Sequence, residues 1–220
     1  VGAIIVAAYS YMALVPIVQP PVIKLVTTRK ERLIRMPYAQ RPVSKTTKIL
    51  FPIIITMVAG IVSPKSVALV GFLMFGNLVR ECGVLGSLSE TAQNALANLI
   101  TLLLGLTVAT KMQAAYFLRW ETLLIMGLGL VAFVFDTAGG VVFAKILNLF
   151  LPKGRKLNPM IGAAGISAFP MSARVINRLG LEEDPENFLL MHAVGANVSG
   201  QIASVIAGGL VLTLVPMFLK

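Results

Sequence analysis

Apolar residues run along this chain in long blocks, and the breaks between the blocks predict where its helices begin and end. Residues 1–18 form the first block; as a helix of roughly 27 Å, at about 1.5 Å per residue, it is long enough to cross a hydrocarbon core with little tilt. Gln19, Pro20 and Pro21 are expected to end it, because consecutive prolines cannot continue the hydrogen-bond ladder. Ile49–Val62 and Val67–Val79 predict two further spans joined by a tight turn at Ser63, Pro64 and Lys65. From Ser89 a more polar helix leads into Ile100–Val108, with Asn94, Asn98 and Thr101 at helical spacing on one face, the pattern of a buried polar seam. Leu123–Phe150 is the longest apolar run, preceded by Trp120 as an interfacial anchor, and Asn187–Leu219 is the last. About seven membrane helices follow from the pattern as a whole.

One apolar stretch breaks the pattern from within. Leu157–Arg174, LNPMIGAAGISAFPMSAR, carries Pro159, Gly162, Gly165 and Pro170 together with Asn158, Ser167 and Arg174. Irregular backbone survives at membrane depth only where protein or a small wet cavity satisfies its peptide groups, so the stretch is a candidate ion or substrate site. Its other reading is a packed helix whose glycines and alanines admit close neighbours. The last span holds a second such patch, with His192, Gly195, Asn197, Ser199, Gly200 and Gln201. Two interrupted helices with amides and hydroxyls at mid-depth are what alternating-access ion transporters use, because unwound carbonyls and side-chain oxygens replace the hydration shell of Na⁺. Asp136, inside the longest run, is a further candidate, since an intramembrane carboxylate is costly unless paired or hydrated.

Composition agrees with the pattern: 57% of residues are hydrophobic, 13% are charged, and the mean hydropathy is +0.86. The fold class expected is all-α, a polytopic membrane protein with discontinuous transmembrane helices. The net charge of +10 does not point to nucleic acid. Between Lys24 and Lys48 lie eight basic residues against Glu31 alone, and only Tyr38 is aromatic there; this is a positive-inside loop facing anionic lipid or an acidic partner. The acidic turn Glu182, Glu183, Asp184 and Glu186 is expected on the opposite side. Cys82 is a single thiol without a disulfide partner, and His192 lacks the second histidine or cysteine of a transition-metal site. Soluble-enzyme fingerprints are absent from the sequence. Arg174 can hold a carboxylate bidentately, and Tyr11 can relay a proton with help. Val1 already lies in an apolar run without a leader, so the chain reads as beginning inside a longer protein.

Five segments carry a specific resemblance. AAYSYMALVPIVQPP at Ala7–Pro21, MFGNLVRECG at Met74–Gly83, FDTAGGVVFAK at Phe135–Lys145, NPMIGAAGISAFPMSARV at Asn158–Val175 and ENFLLMHAVGANVSGQIAS at Glu186–Ser204 resemble, in order, the membrane-embedded beta subunit of the biotin-dependent, sodium-pumping decarboxylases. That family acts on oxaloacetate, methylmalonyl-CoA, glutaconyl-CoA or malonate. The family subunit is nearly twice as long, and residues 1–220 resemble the C-terminal part of its single membrane domain.

The resemblance implies one part of an inverted-repeat, transporter-like fold in a bacterial or archaeal cytoplasmic membrane. It implies decarboxylation of carboxybiotin, carried on a partner subunit, coupled to Na⁺ export with consumption of a proton. By motif, Asn158 and Ser167 fall on sodium-binding positions, with Asn197 a further ligand. Tyr11 falls on a tyrosine of ion or proton handling, and Arg174 on an arginine of the carboxybiotin or proton pathway. Asp136, in FDTAGG, is a feature of a CoA-ester subgroup. Expected partners are the biotin-carrier and carboxyltransferase (alpha) subunits, a small membrane (gamma or delta) subunit, further copies of the chain and the bilayer. The family's essential Asp-Gly-Pro aspartate is expected upstream of Val1, so residues 1–220 alone are expected to be inactive. Two alternatives use the same residues: a secondary Na⁺/H⁺ antiporter-like carrier without carboxybiotin, and a purely structural scaffold.

Overall fold

The structure, a computed structural model, describes residues 2–37, 42–111, 118–152, 154–166 and 168–218. The described residues are helical without strands: α1 (Gly2–Val26), α2 (Arg29–Arg32), α3 (Lys45–Val62), α4 (Val67–Glu81), α5 (Gly86–Thr91), α6 (Ala97–Lys111), α7 (Trp120–Phe150), α8 (Met171–Glu183) and α9 (Leu190–Phe218). A 3₁₀ turn at Pro64–Ser66, a π-helical turn at Ala92–Leu96 and a 3₁₀ segment at Pro159–Gly165 complete them. Among the described residues four stretches are long and apolar enough to cross a membrane: α3, Gly86–Thr110, α7 and α9. Beside these, α1 is 25 residues long, α4 stops at 15 residues, and the stretch after Leu157 is a 3₁₀ segment followed by α8 rather than a single span. The fold class is that of an all-α, polytopic membrane protein. The chain divides into two compact units, residues 1–39 with 108–201, and residues 40–107 with 202–220.

In the first unit α1 does not end at Pro20 and Pro21, contrary to expectation; both prolines lie inside it, with Pro16. Each proline removes one donor from the ladder, but Val15, Gln19 and Ile23, at helical spacing, are all buried at 0–1% exposure. That stripe packs into a core with Val141, Met160, Ala163, Ala173, Ile176 and Leu189. Tertiary burial therefore carries the helix past three missing donors.

The acidic turn lies at the same end of this unit as the basic residues, which corrects the expected sidedness. Arg32 Nε donates to Glu183 Oε1 at 2.6 Å, Arg35 Nε to Asp184 Oδ2 at 2.6 Å, and Arg35 also pairs with Glu186. Lys24 approaches Glu182 at 3.9 Å. The cause is topological. The 3₁₀ segment leaves the basic end, where the Asn158 amide donates to the carbonyls of Arg32 (2.8 Å) and Ile34 (2.9 Å). The chain then turns back through α8, which returns to Arg32 at Glu183. A charge-sign argument assumes one crossing per apolar stretch, and here the stretch is re-entrant.

The second unit is organised by the α3–α4 hairpin. Ala59, Val70 and Met74 pack with Ile202, Val205 and Ile206 of α9, Lys48 pairs with Glu81 at 3.1 Å across the open end, and Lys65 Nζ donates to the Leu212 carbonyl at 2.6 Å at the turn. Asn94, Asn98 and Thr101 do not form the expected buried seam. All three are exposed in this chain; Asn94 and Thr101 bond to carbonyls one turn back, at Glu90 and Ala97.

Candidate functional site

The 3₁₀ segment Pro159–Gly165 is the irregular backbone that its prolines and glycines predict. Asn158 starts it: its Oδ1 accepts the Met160 N–H at 3.1 Å, and Pro159 takes the first position, where no donor is needed. The segment runs antiparallel to α7. Asn148 exchanges two hydrogen bonds with Leu157, at 2.8 and 2.7 Å, and further on Gly140 meets Gly162 so closely that a β-carbon on either would fall on the other's carbonyl group. Only glycine permits that backbone-to-backbone approach.

Two buried amides hold the segment's far end. Gln19, on α1, donates from Nε2 to the Ala163 carbonyl at 2.8 Å and to Ser172 Oγ at 2.6 Å, and Ser172 in turn donates to the Ala163 carbonyl at 3.1 Å. Asn197, on α9, donates from Nδ2 to the carbonyls of Ala164 at 2.8 Å and Ile166 at 2.6 Å. One turn on, Gly200 lies against the Gly165 carbonyl, where a β-carbon would not fit. Both amides are fully buried, and each leaves its oxygen, Gln19 Oε1 or Asn197 Oδ1, without a hydrogen-bond donor among the described residues. Thr137, also fully buried on α7, leaves Oγ1 in the same condition. Buried acceptors without donors are rare in folded chains and call for an ion or water.

The sequence-predicted residues distribute unevenly about this point. Asn197 is at the far end of the segment and Asn158 at its entry; at about 2 Å per residue of 3₁₀ rise the entry and Ile166 are separated by roughly 16 Å. Ser167, which follows directly, lies outside the described residues. Tyr11 donates its hydroxyl to the backbone of α7, with its oxygen 2.6 Å from the Ile125 carbonyl and 3.1 Å from that of Met126, and its ring tip occupies the space beside Gly129. Gly129 precedes Thr137 by about 12 Å of helix. Arg174 is exposed on the first turn of α8. Asp136 neighbours Thr137 in sequence but is exposed on another face of α7. Within α9 there is no second break: Leu190–Phe218 is one continuous helix, so the expected pair of interrupted helices is one interrupted segment packed on an unbroken one. Sequence reasoning missed Gln19 and Thr137. An isolated Gln before a Pro-Pro pair reads as a helix end, and a Thr after an Asp as part of a carboxylate motif.

At the basic end the charges are fixed. Burial pushes the Glu31 carboxyl up, but the Thr28 N–H (2.7 Å) and Lys145 (3.0 Å) outweigh it, and the carboxyl titrates below its ordinary range. The Arg35 guanidinium, with the Glu186 N–H, holds Asp184 below the usual carboxylate range, and Asp184 raises Arg35 in return.

Comparison with known proteins matches this sequence to one family. Residues 1–215 fit the model of the Na⁺-transporting oxaloacetate decarboxylase beta subunit. The chain is 54% identical over 211 residues to the oxaloacetate decarboxylase beta chains of Haemophilus ducreyi and Klebsiella pneumoniae, alignments that cover 96% of this chain and 48% of each relative. It is 52% identical over 213 residues to the methylmalonyl-CoA decarboxylase subunit beta of Propionigenium modestum, covering 97% of this chain and 53% of the relative. The chain thus spans about half the length of the relatives it matches. With the match running through every helix of both units, the chain belongs to the Na⁺-transporting oxaloacetate decarboxylase beta subunit family.

Proposed function

We propose that this chain is part of the membrane subunit of a sodium-pumping, biotin-dependent decarboxylase in a prokaryotic cytoplasmic membrane, and that Na⁺ is its cargo. The observation that supports this most is the Asn197 clamp: a fully buried amide holds two carbonyls of a broken segment, and its own oxygen meets no donor among the described residues. Peptide and amide oxygens at membrane depth are the ligands that replace water around an alkali ion. Asn197 is the ligand at the segment's tip and Ser167, next in sequence after Ile166, the second; Asn158, roughly 16 Å off at the entry, serves only an ion passing there.

Carboxybiotin, when delivered by a partner subunit, supplies a carboxylate whose loss as CO₂ consumes a proton. This chain's residues fit such a group in charge. Arg174 is exposed and has no ion-pair partner among the described residues, so its guanidinium is available to hold a carboxylate. Tyr11 donates its hydroxyl to the α7 backbone, and in this reading it relays the proton. A proton arriving near the ion repels it through the low-dielectric interior, which makes sodium release directional when decarboxylation draws the proton in. The biotin-carrier, carboxyltransferase and small membrane subunits are the partners this reading requires.

The test uses the full-length subunit in its assembled complex. Asn197→Leu abolishes sodium stimulation of decarboxylation and the sodium-dependent rise in thermal stability; stimulation equal to wild type removes Asn197 from the site. Sodium flux by the subunit reconstituted without any biotin-bearing partner favours the antiporter-like carrier instead.

A further inference from the structure

Resting on the sodium reading of the Asn197 clamp, we propose that Thr137 is a sodium ligand, facing the same point of the broken segment from the opposite helix. Its register follows from contacts already fixed. Asn148 meets Leu157, and Gly140 meets Gly162 and Ala163, so α7 descends as the segment ascends. Thr137 lies three residues, about 4.5 Å of helix, beyond Gly140, and two residues of 3₁₀ rise cover about 4 Å. Thr137 therefore comes level with Ala164 and Gly165. That is the level at which Asn197 grips Ala164 and Ile166 and Gly200 meets the Gly165 carbonyl.

Its chemistry fits the position. The residue has no exposed surface, and Oγ1 has no hydrogen-bond partner among the described residues, although a helical threonine ordinarily bonds to the carbonyl one turn back, as Thr56, Thr101, Thr107 and Thr213 do here. Thr137 forgoes that local bond. Its oxygen, Asn197 Oδ1 and Gln19 Oε1 are buried neutral acceptors without partners among the described residues, and Gln19 and Asn197 both grip the broken segment. In this proposal a cation at that level takes the Thr137 oxygen as a ligand, and uncharged oxygens suit a monovalent ion, which gives up its hydration more readily than a divalent one.

The test is made on the full-length subunit in its complex, with the sodium concentration for half-maximal decarboxylation and the sodium-dependent thermal shift as readouts. Thr137→Val keeps the shape and removes the oxygen; it raises half-saturation about ten-fold, the loss of roughly one polar contact, and reduces the thermal shift, while Thr137→Ser, which keeps the oxygen, restores both. Thr137→Ala gives the same readout if the valine variant does not assemble. Half-saturation and thermal shift unchanged in the oxygen-free variants, with Asn197→Leu still insensitive to sodium, overturn the assignment of Thr137 and leave the sodium reading standing. An equal loss of stability with and without sodium means that a bound water satisfies Oγ1 and also overturns it. A wild-type complex indifferent to sodium overturns both.

Discussion

Gly140 of α7 and Gly162 of the 3₁₀ segment meet backbone to backbone, each filling the place where the other's β-carbon would stand. Gly140→Ala or Gly162→Ala must push the two elements apart and carry the Ala164–Ile166 carbonyls away from Asn197. Overpacking of this kind costs about 1–3 kcal/mol. The expected outcome is a lower thermal midpoint in detergent and loss of sodium-stimulated decarboxylation in the full-length complex. Gly139→Ala, where a β-carbon meets nothing within 4 Å, is the control and leaves the midpoint near wild type.

The Arg32–Glu183 pair closes the re-entrant loop at its mouth. Both side chains are mostly buried, at 13% and 15% exposure, and Arg32 also donates to the Thr27 carbonyl at 2.8 Å. Removing Arg32 leaves Glu183 in a poorly solvated site with only the longer Arg29 contact at 3.7 Å, at a cost toward the lower end of about 3–5 kcal/mol. Arg32→Met should lower the thermal midpoint far more than Arg178→Met, whose exposed pair with Glu182 is worth well under 1 kcal/mol. Pairing Arg32→Met with Glu183→Met should recover part of the loss.

Asn177 joins α8 to the start of α9, its Oδ1 accepting the N–H groups of Leu189 at 3.1 Å and Leu190 at 3.0 Å. Asn177→Ala leaves both donors at a helix start without their acceptor and should cost about 1–2 kcal/mol. Limited proteolysis reads it directly: cleavage in the Asp184–Phe188 turn should accelerate, with Asn177→Asp, which keeps the acceptor, close to wild type.

Acid should loosen the basic end first. Glu31 and Asp184 titrate lower in the folded chain than in the unfolded one, so the unfolded chain takes up their protons first as pH falls. Their contribution to stability is complete above the ordinary carboxylate range, about pH 4, and is lost as pH drops through their lower folded values. The thermal midpoint should fall below about pH 4, and the double variant Glu31→Gln, Asp184→Asn should start lower at neutral pH and show a flatter acid limb.

The sequence exposed the broken segment because its cause is local: Pro159, Gly162 and Gly165 act on their own backbone wherever they stand. It likewise exposed the α3–α4 hairpin and the long apolar helices. Pro20 and Pro21 misled because the burial of Val15, Gln19 and Ile23 against α8 and the segment is a tertiary effect that outweighs two local defects. The side of the acidic turn was hidden for the same reason, since only the return of α8 beside Arg32 decides it. Asn197 was visible as a polar residue in an apolar run, but its two carbonyl partners lie 33 and 31 residues away. Gln19 and Thr137 gain their meaning only from neighbours that no spacing rule connects to them.

The glycines on either side of the broken segment have a mechanical corollary. Gly140 against Gly162 and Gly200 against Gly165 give it two places where backbone meets backbone with no side chain between. Glycine closeness alone does not fix the segment lengthwise: Met160 is buried in the core, Asn148 and Asn158 hold the entry, and Gln19 and Asn197 grip three carbonyl oxygens at the tip. The fold thereby separates spacing from hold: glycine sets how near the backbones lie, and carboxamides set where along its neighbours the segment is pinned.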